Sequence, residues 1–225
     1  MRQALLAFQV FRLVAMLFII TPEAVYSGAP ARAALSIAEA RSLPLGTVVT
    51  VDGSVTVASG AFSSSIFDQG FAIQDYTGGI YVSVADNLGF ALRQQVRVRG
   101  QLADSSGLLI LNNVTDIKAR GRSPRVQPLP ITTGAVGEAT EGKLVKITGK
   151  ITQPIVNDLP FGFIIVVDDG SGEVNAFVNA STDIDLSGIS QGQTIEVTGF
   201  SGHFADHFEV DPRVQRDIKV VRHKN

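Results

Sequence analysis

Val49-Thr50-Val51-Asp52-Gly53-Ser54-Val55 and Val145-Lys146-Ile147-Thr148-Gly149-Lys150-Ile151 decide the fold. Both stretches alternate apolar and polar side chains, and both carry glycine at the same place. A period of two marks a strand with one buried face. A glycine on the inward side lets a long strand bend sharply, as it must at the corner of a small barrel.

The repeat continues outward from these stretches. Phe71-Ala72-Ile73-Gln74, the turn Asp75-Tyr76-Thr77-Gly78-Gly79, and Ile80-Tyr81-Val82-Ser83-Val84 predict a hairpin. Its counterpart is Ile164-Ile165-Val166-Val167, Asp168-Asp169-Gly170-Ser171-Gly172-Glu173, and Val174-Asn175-Ala176-Phe177-Val178. Asp and Gly supply the turn in each, because glycine tolerates positive φ. The inward sets are Ile80, Val82 and Val84, matched by Val174, Ala176 and Val178. A polar stretch follows at 85–94 and 179–192. A fourth strand comes next, Val96-Arg97-Val98-Arg99-Gly100 and Ile195-Glu196-Val197-Thr198-Gly199. A fifth is expected at 108–118 and about 207–221, with Pro212 interrupting the second copy because it cannot donate to a ladder. Ser36-Ile37-Ala38-Glu39 reads as a capping box opening a short helix. A weaker helical signal stands at Thr132 and Thr133.

Five strands per unit, with a break between the third and fourth, match the strand plan of the OB-fold. A sandwich of immunoglobulin type would want about seven. An SH3-like barrel also fits, since strand order is not read from one sequence. The run Phe71-x-Ile73-Gln74-Asp75-x-Thr77-Gly78-Gly79-Ile80-Tyr81-Val82, after a glycine-bent strand, resembles the OB-fold accessory domains of exported bacterial proteins, of the type found beside secreted nucleases and phosphoesterases. The second copy departs from that pattern at its turn, Asp168 to Gly172. The expected fold class is all-β, two tandem five-stranded OB-fold-like barrels with short flanking helices. Their expected bounds are 34–119 and 131–225, joined by a proline-rich linker at 120–130.

Length and composition agree. The chain has 225 residues, 45% of them apolar, enough for two domains of about 90–100 residues and a leader. It has no cysteine, which excludes a disulfide framework, a thiolate-ligated zinc and a cysteine nucleophile. In residues 1–33, Arg2 and Arg12 precede the uncharged run Leu13 to Ile20, and small residues follow. That is the order of a secretory signal peptide with cleavage between 27 and 33, and it predicts a secreted or periplasmic protein. A retained anchor is the alternative. No other segment approaches the roughly 20 apolar residues a membrane helix needs.

Charge is unevenly spread. Residues 34–122 carry seven basic and seven acidic side chains, and residues 126–225 carry eight and thirteen. Neither unit has the basic excess of a protein that grips duplex DNA through many phosphates. Arg97 and Arg99 are expected to pair across strands with Asp52, and Lys146 and Lys150 with Glu196.

In an OB-fold, ligands lie on the outer face of strands 2 and 3, between the loops joining strands 1–2 and 4–5. Fold position nominates Gln74, Tyr81 and Ser83, with Phe62 and Phe67 in the 1–2 loop of the first unit. In the second it nominates Asn175 and Phe177, Phe161 in the 1–2 loop, and His203, Phe204 and His207 in the 4–5 connection. The aromatics could stack on bases or on sugar rings, or Phe62, Phe67 and Phe161 could fold back to plug the barrels. Arg120, Arg122 and Arg125 in the linker are candidates for phosphate contact. No catalytic fingerprint occurs. His203, Asp206 and His207 suggest a metal-dependent hydrolase only if a loop brings them together. Asp168, Asp169 and Glu173 read as a hairpin turn rather than a calcium site. The expectation is therefore a non-enzymatic binding protein without metal or cofactor. Its leading ligand is single-stranded nucleic acid, weakly held, and the alternative is a protein- or glycan-binding envelope adaptor.

Overall fold

In the computed structural model residues 33–221 are described. The leader, including its possible cleavage sites before residue 33, lies outside them. Helix α1 (Ile37–Arg41) opens with the expected capping box, Ser36 and Glu39 exchanging hydrogen bonds. Five strands follow: β1 (Val48–Val57), β2 (Phe71–Gln74), β3 (Gly79–Val82), β4 (Gln94–Ser105) and β5 (Leu108–Arg122). They close in the order β1-β2-β3-β5-β4, with β3 and β5 parallel and the other neighbouring pairs antiparallel. This is the OB arrangement, and it settles against the SH3 alternative.

The second unit repeats it. A short β6 (Leu129–Pro130) runs beside β7 (Leu144–Ile151). After β8 (Val156–Asp158) come β9 (Gly162–Asp168), β10 (Val174–Asn179), β11 (Thr194–Phe204), β12 (His207–Asp211) and β13 (Ile218–Val220). β7, β9, β10, β12 and β11 close the barrel in the same order. Pro212 separates β12 from β13, which resumes pairing farther along the same edge of β11, opposite β7. Among the described residues no helix is long and apolar enough to cross a membrane.

The bend at the repeated glycine explains how one strand serves two neighbours. β1 pairs with β4 from Val48 to Ser54 and with β2 from Ser54 onward. β7 pairs with β11 up to Lys150 and with β9 from there. At the crossing the backbones come too close for a side chain. A Cβ on Gly53 would stand 2.9 Å from the Cβ of Ile73, and one on Gly149 would stand 2.7 Å from the carbonyl carbon of Asp168. The Asp turns work as read, since Asp75 Oδ1 accepts from the Thr77 and Gly78 amides. They also do more. Asp75 accepts from the Ile37 amide at the start of α1, and Asp169 accepts from the Thr133 amide of the equivalent 3-10 turn. Each hairpin turn thereby holds down the helical turn that leads into its barrel.

Each barrel has its own apolar core. A third cluster lies between them: Val57, Phe62, Ala72, Tyr81, Leu108 and Ile110 of the first unit, and Phe200 of the second. Around it, Arg41 reaches Glu141 at 2.9 Å, the Leu144 amide donates to Gln74, and Arg213 donates to the carbonyl of Thr56. The barrels thus form one body. Replacing Phe200 by Ala is expected to cost about 3 kcal/mol. It should also separate one cooperative denaturant transition into two, read by far-ultraviolet circular dichroism against urea.

Candidate functional site

Docking the barrels in this way leaves an open cleft of about 810 Å³ beside the joint. One wall comes from the β1–β2 loop of the first barrel and its β4–β5 turn. The other is the outer face of β9 and β10 and the β11–β12 hairpin of the second barrel. The strand 2–3 face of the second unit and its 4–5 connection therefore meet at one place, as the OB plan anticipates. The facing wall is supplied by the first barrel, which one unit alone could not reveal.

Of the nominated residues, Phe62, Phe67, Tyr81, Phe161, Asn175, Phe177, His203, Phe204 and His207 border the cleft. Phe67 and Phe161 do not plug the barrels. They are 75% and 54% exposed and face each other from opposite walls, their ring centroids 6.4 Å apart. Phe62 is buried, packed against Tyr81 and Phe200 in the joint.

Three nominations are corrected. Tyr81 points out of its barrel, as alternation requires, but the second barrel covers it. Its hydroxyl donates to Asp68 at 2.7 Å, and burial beside that carboxylate pushes its proton affinity far up. Ser83 is buried and carries no exposed hydroxyl for a ligand. Gln74 accepts from the Leu144 amide and so belongs to the joint. Outwardness from one barrel is not exposure when a second barrel docks there.

Arg120 and Arg122 belong to β5, and Arg125 to the connection after it. None of the three borders the cleft. With Arg93, Arg97, Arg99 and Lys118 they gather along β4 and β5. Arg97 is bidentate with Asp52 at 2.8 and 2.6 Å, and Lys118 meets Asp116 at 3.0 Å. Arg93, Arg99, Arg120, Arg122 and Arg125 are exposed. In the second unit Lys146 pairs with Glu196 at 3.1 Å, as expected, and Lys219 joins them. Lys150 stays outside that pair.

The cleft itself is acidic. Asp158, Glu209 and Asp211 line it, and among the described residues no Lys or Arg does. Glu209 and Asp211 were not nominated, although the sequence held the signal. In Phe208-Glu209-Val210-Asp211 the buried Val210 faces the core, so its neighbours face the cleft. Burial raises the Glu209 carboxyl from its ordinary 4.5 to about 7, against the opposing pull of His207, whose Nε2 is 3.6 Å away. Burial, with Glu209 nearby, also lifts Asp211 well above the ordinary range.

The histidines do not build the hydrolase site. His203 Nδ1 lies 3.4 Å from Glu141, while His207 faces Asp206 and Glu209. Among the described residues only Glu138, Glu141 and His203 bring three potential ligand atoms within 4.8 Å. Arg41 reaches both glutamates there, at 3.7 and 2.9 Å, and supplies the positive charge a metal would.

No family model matches the chain, and no curated protein sequence does. Among solved structures it is distantly similar to the hypothetical protein ygiW from E. coli, at 19% identity over 40% of this chain and 92% of that one, with a TM-score of 0.33. A murine DNA-binding protein bound with double-stranded DNA is similar at 14% identity over 78% and 97%, with a TM-score of 0.38. The p202 HIN1 structure in complex with a 12-mer double-stranded DNA gives 13% over 79% and 94%, with a TM-score of 0.36.

Glu209 gives the cleft a measurable pH signature. Between about pH 4.5 and 7 the folded chain holds a proton there that the unfolded chain has lost. Glu209 therefore withdraws stability as pH rises through that window, by up to about 3 kcal/mol. Thermal scans of Glu209→Gln and the unaltered chain should nearly coincide at pH 4.5, and the variant should melt higher at pH 8.

Proposed function

We propose that this chain is an exported, non-enzymatic binding protein whose ligand lies in the cleft between its two barrels. The cleft carries the reading. It is concave, within the roughly 300–1,000 Å³ usual for ligand sites, and aromatic-walled with a few convergent polar groups. The leader supports export.

The walls suit rings, and Asn175, Asn179 and the serines of the first-barrel loop can hydrogen-bond hydroxyl groups. The carboxylates disfavour a phosphate backbone, because a polyanion would find no counter-charge in the cleft. Sugar rings of envelope glycans are one ligand class that fits. Soluble peptidoglycan fragments should bind, and the double substitution Phe67→Ala and Phe161→Ala should weaken them about tenfold by calorimetry, with the fold intact. Fragments that fail to bind, or that bind both proteins alike, would exclude this use of the cleft.

A second reading rests on the strip along β4 and β5. Five exposed arginines there could hold single-stranded nucleic acid outside the cleft, weakly and with strong salt dependence. Labelled oligo-dT should then bind at low salt, release at moderate salt, and be lost on Arg120→Glu with Arg122→Glu. Phe161→Ala should not alter it. An oligonucleotide that stays unbound even at low salt removes this reading.

A further inference from the structure

Resting on the cleft as the ligand site, we propose that its floor receives the positive end of a small organic amine. Asp211 and Glu209 hold the ammonium group, and the aromatic walls hold the ligand's apolar body.

The protein satisfies its other buried carboxylates. Asp217 receives the guanidinium of Arg213 through three bonds of 2.8 to 3.1 Å, counting the Arg213 amide. Asp68 accepts from Tyr81, Ser64 and the Gly70 amide. Glu141 accepts from Arg41 and the Leu109 amide. Asp211 is as buried, 5% exposed, yet its Oδ1 has no hydrogen-bond partner among the described residues. A buried polar atom left unpaired costs about 1–3 kcal/mol, and more when charged. Asp211 is a lining residue of an open cleft, so a ligand that reaches its carboxyl can supply the partner the protein omits.

The surroundings say what that partner is. Glu209 and Asp211 stand two apart on β12 and both line the cleft, where the imidazoles of His207 and His203 temper Glu209. Opposite them on β11 is Gly202, paired with Glu209. A Cβ there would come 2.7 Å from Asp211 Oδ2 and 3.4 Å from Glu209 Cγ. The missing side chain leaves the space beside Asp211 Oδ2 unfilled. In a recess walled by Phe177, Phe200 and Phe204 a bound ammonium meets the ring faces and two carboxyl groups that burial holds toward the neutral form and that an adjacent cation draws toward the ionised one. The size of the recess fits a small molecule.

The probe is 4-phenylbutylammonium, with 4-phenylbutanol as its uncharged counterpart, each titrated calorimetrically into the full chain at pH 7.5. The amine should bind at least about tenfold more tightly than the alcohol. Asp211→Asn and Glu209→Gln should each cut that preference to about threefold or less while the alcohol's affinity holds. Both variants keep shape and remove charge, and near-ultraviolet circular dichroism checks their folds. Equal binding of the two probes, lost in Phe177→Ala, overturns the amine assignment and leaves the cleft as the ligand site. Absence of both probes overturns the assignment too, while peptidoglycan fragments still test the cleft separately. A preference that survives both carboxylate variants places the cation elsewhere and overturns the proposal.

Discussion

Phe200 packed onto Tyr81 and Phe62 is the contact on which the rest depends. Two OB barrels on a flexible tether would each offer a shallow face. Here the outer face of β3 is given up to the joint, and the apolar area buried there fixes the second barrel's binding face opposite the first barrel's loops. The cleft is thus a product of docking. Polar groups around the joint, Arg41 with Glu141 and Arg213 with the Thr56 carbonyl, add direction to an attraction that has none of its own.

The fold was legible because its signals are local and written twice. Alternation gave the strands, the paired glycines gave the bend, and Asp-Gly turns gave the hairpins. Strand order was not legible from one chain. It followed only once five strands had to close with a parallel β3–β5 contact. The strand at 108–118 proved longer, running to Arg122, because β4 offers a partner along its whole length.

The site was legible in part. Phe161, Phe177, His203 and His207 line the cleft, where OB geometry makes loops and strand faces converge. Tyr81, Ser83 and Gln74 were misjudged for one shared reason: burial by a neighbouring domain leaves no periodic trace in the strand that is buried. Glu209 and Asp211 were missed differently. Acidic side chains on an outward face look like ordinary solvated charges until the opposite wall is known.

The reversed charges of the two repeats bear on how a chain that says nearly the same thing twice avoids confusing its halves. Asp52 stands across from Arg97 on β4, and Glu196 occupies the position in β11 that Arg97 holds in β4. Were β1 to zip onto β11 by mistake, Asp52 would meet Glu196. Were β7 to zip onto β4, Lys146 would meet Arg99. Each exchange sets like charges directly opposite, where correct pairing sets none, at a cost of a few tenths to about 1 kcal/mol per encounter. During folding, when tandem copies are most prone to trade strands, the sign pattern works as a proofreading key.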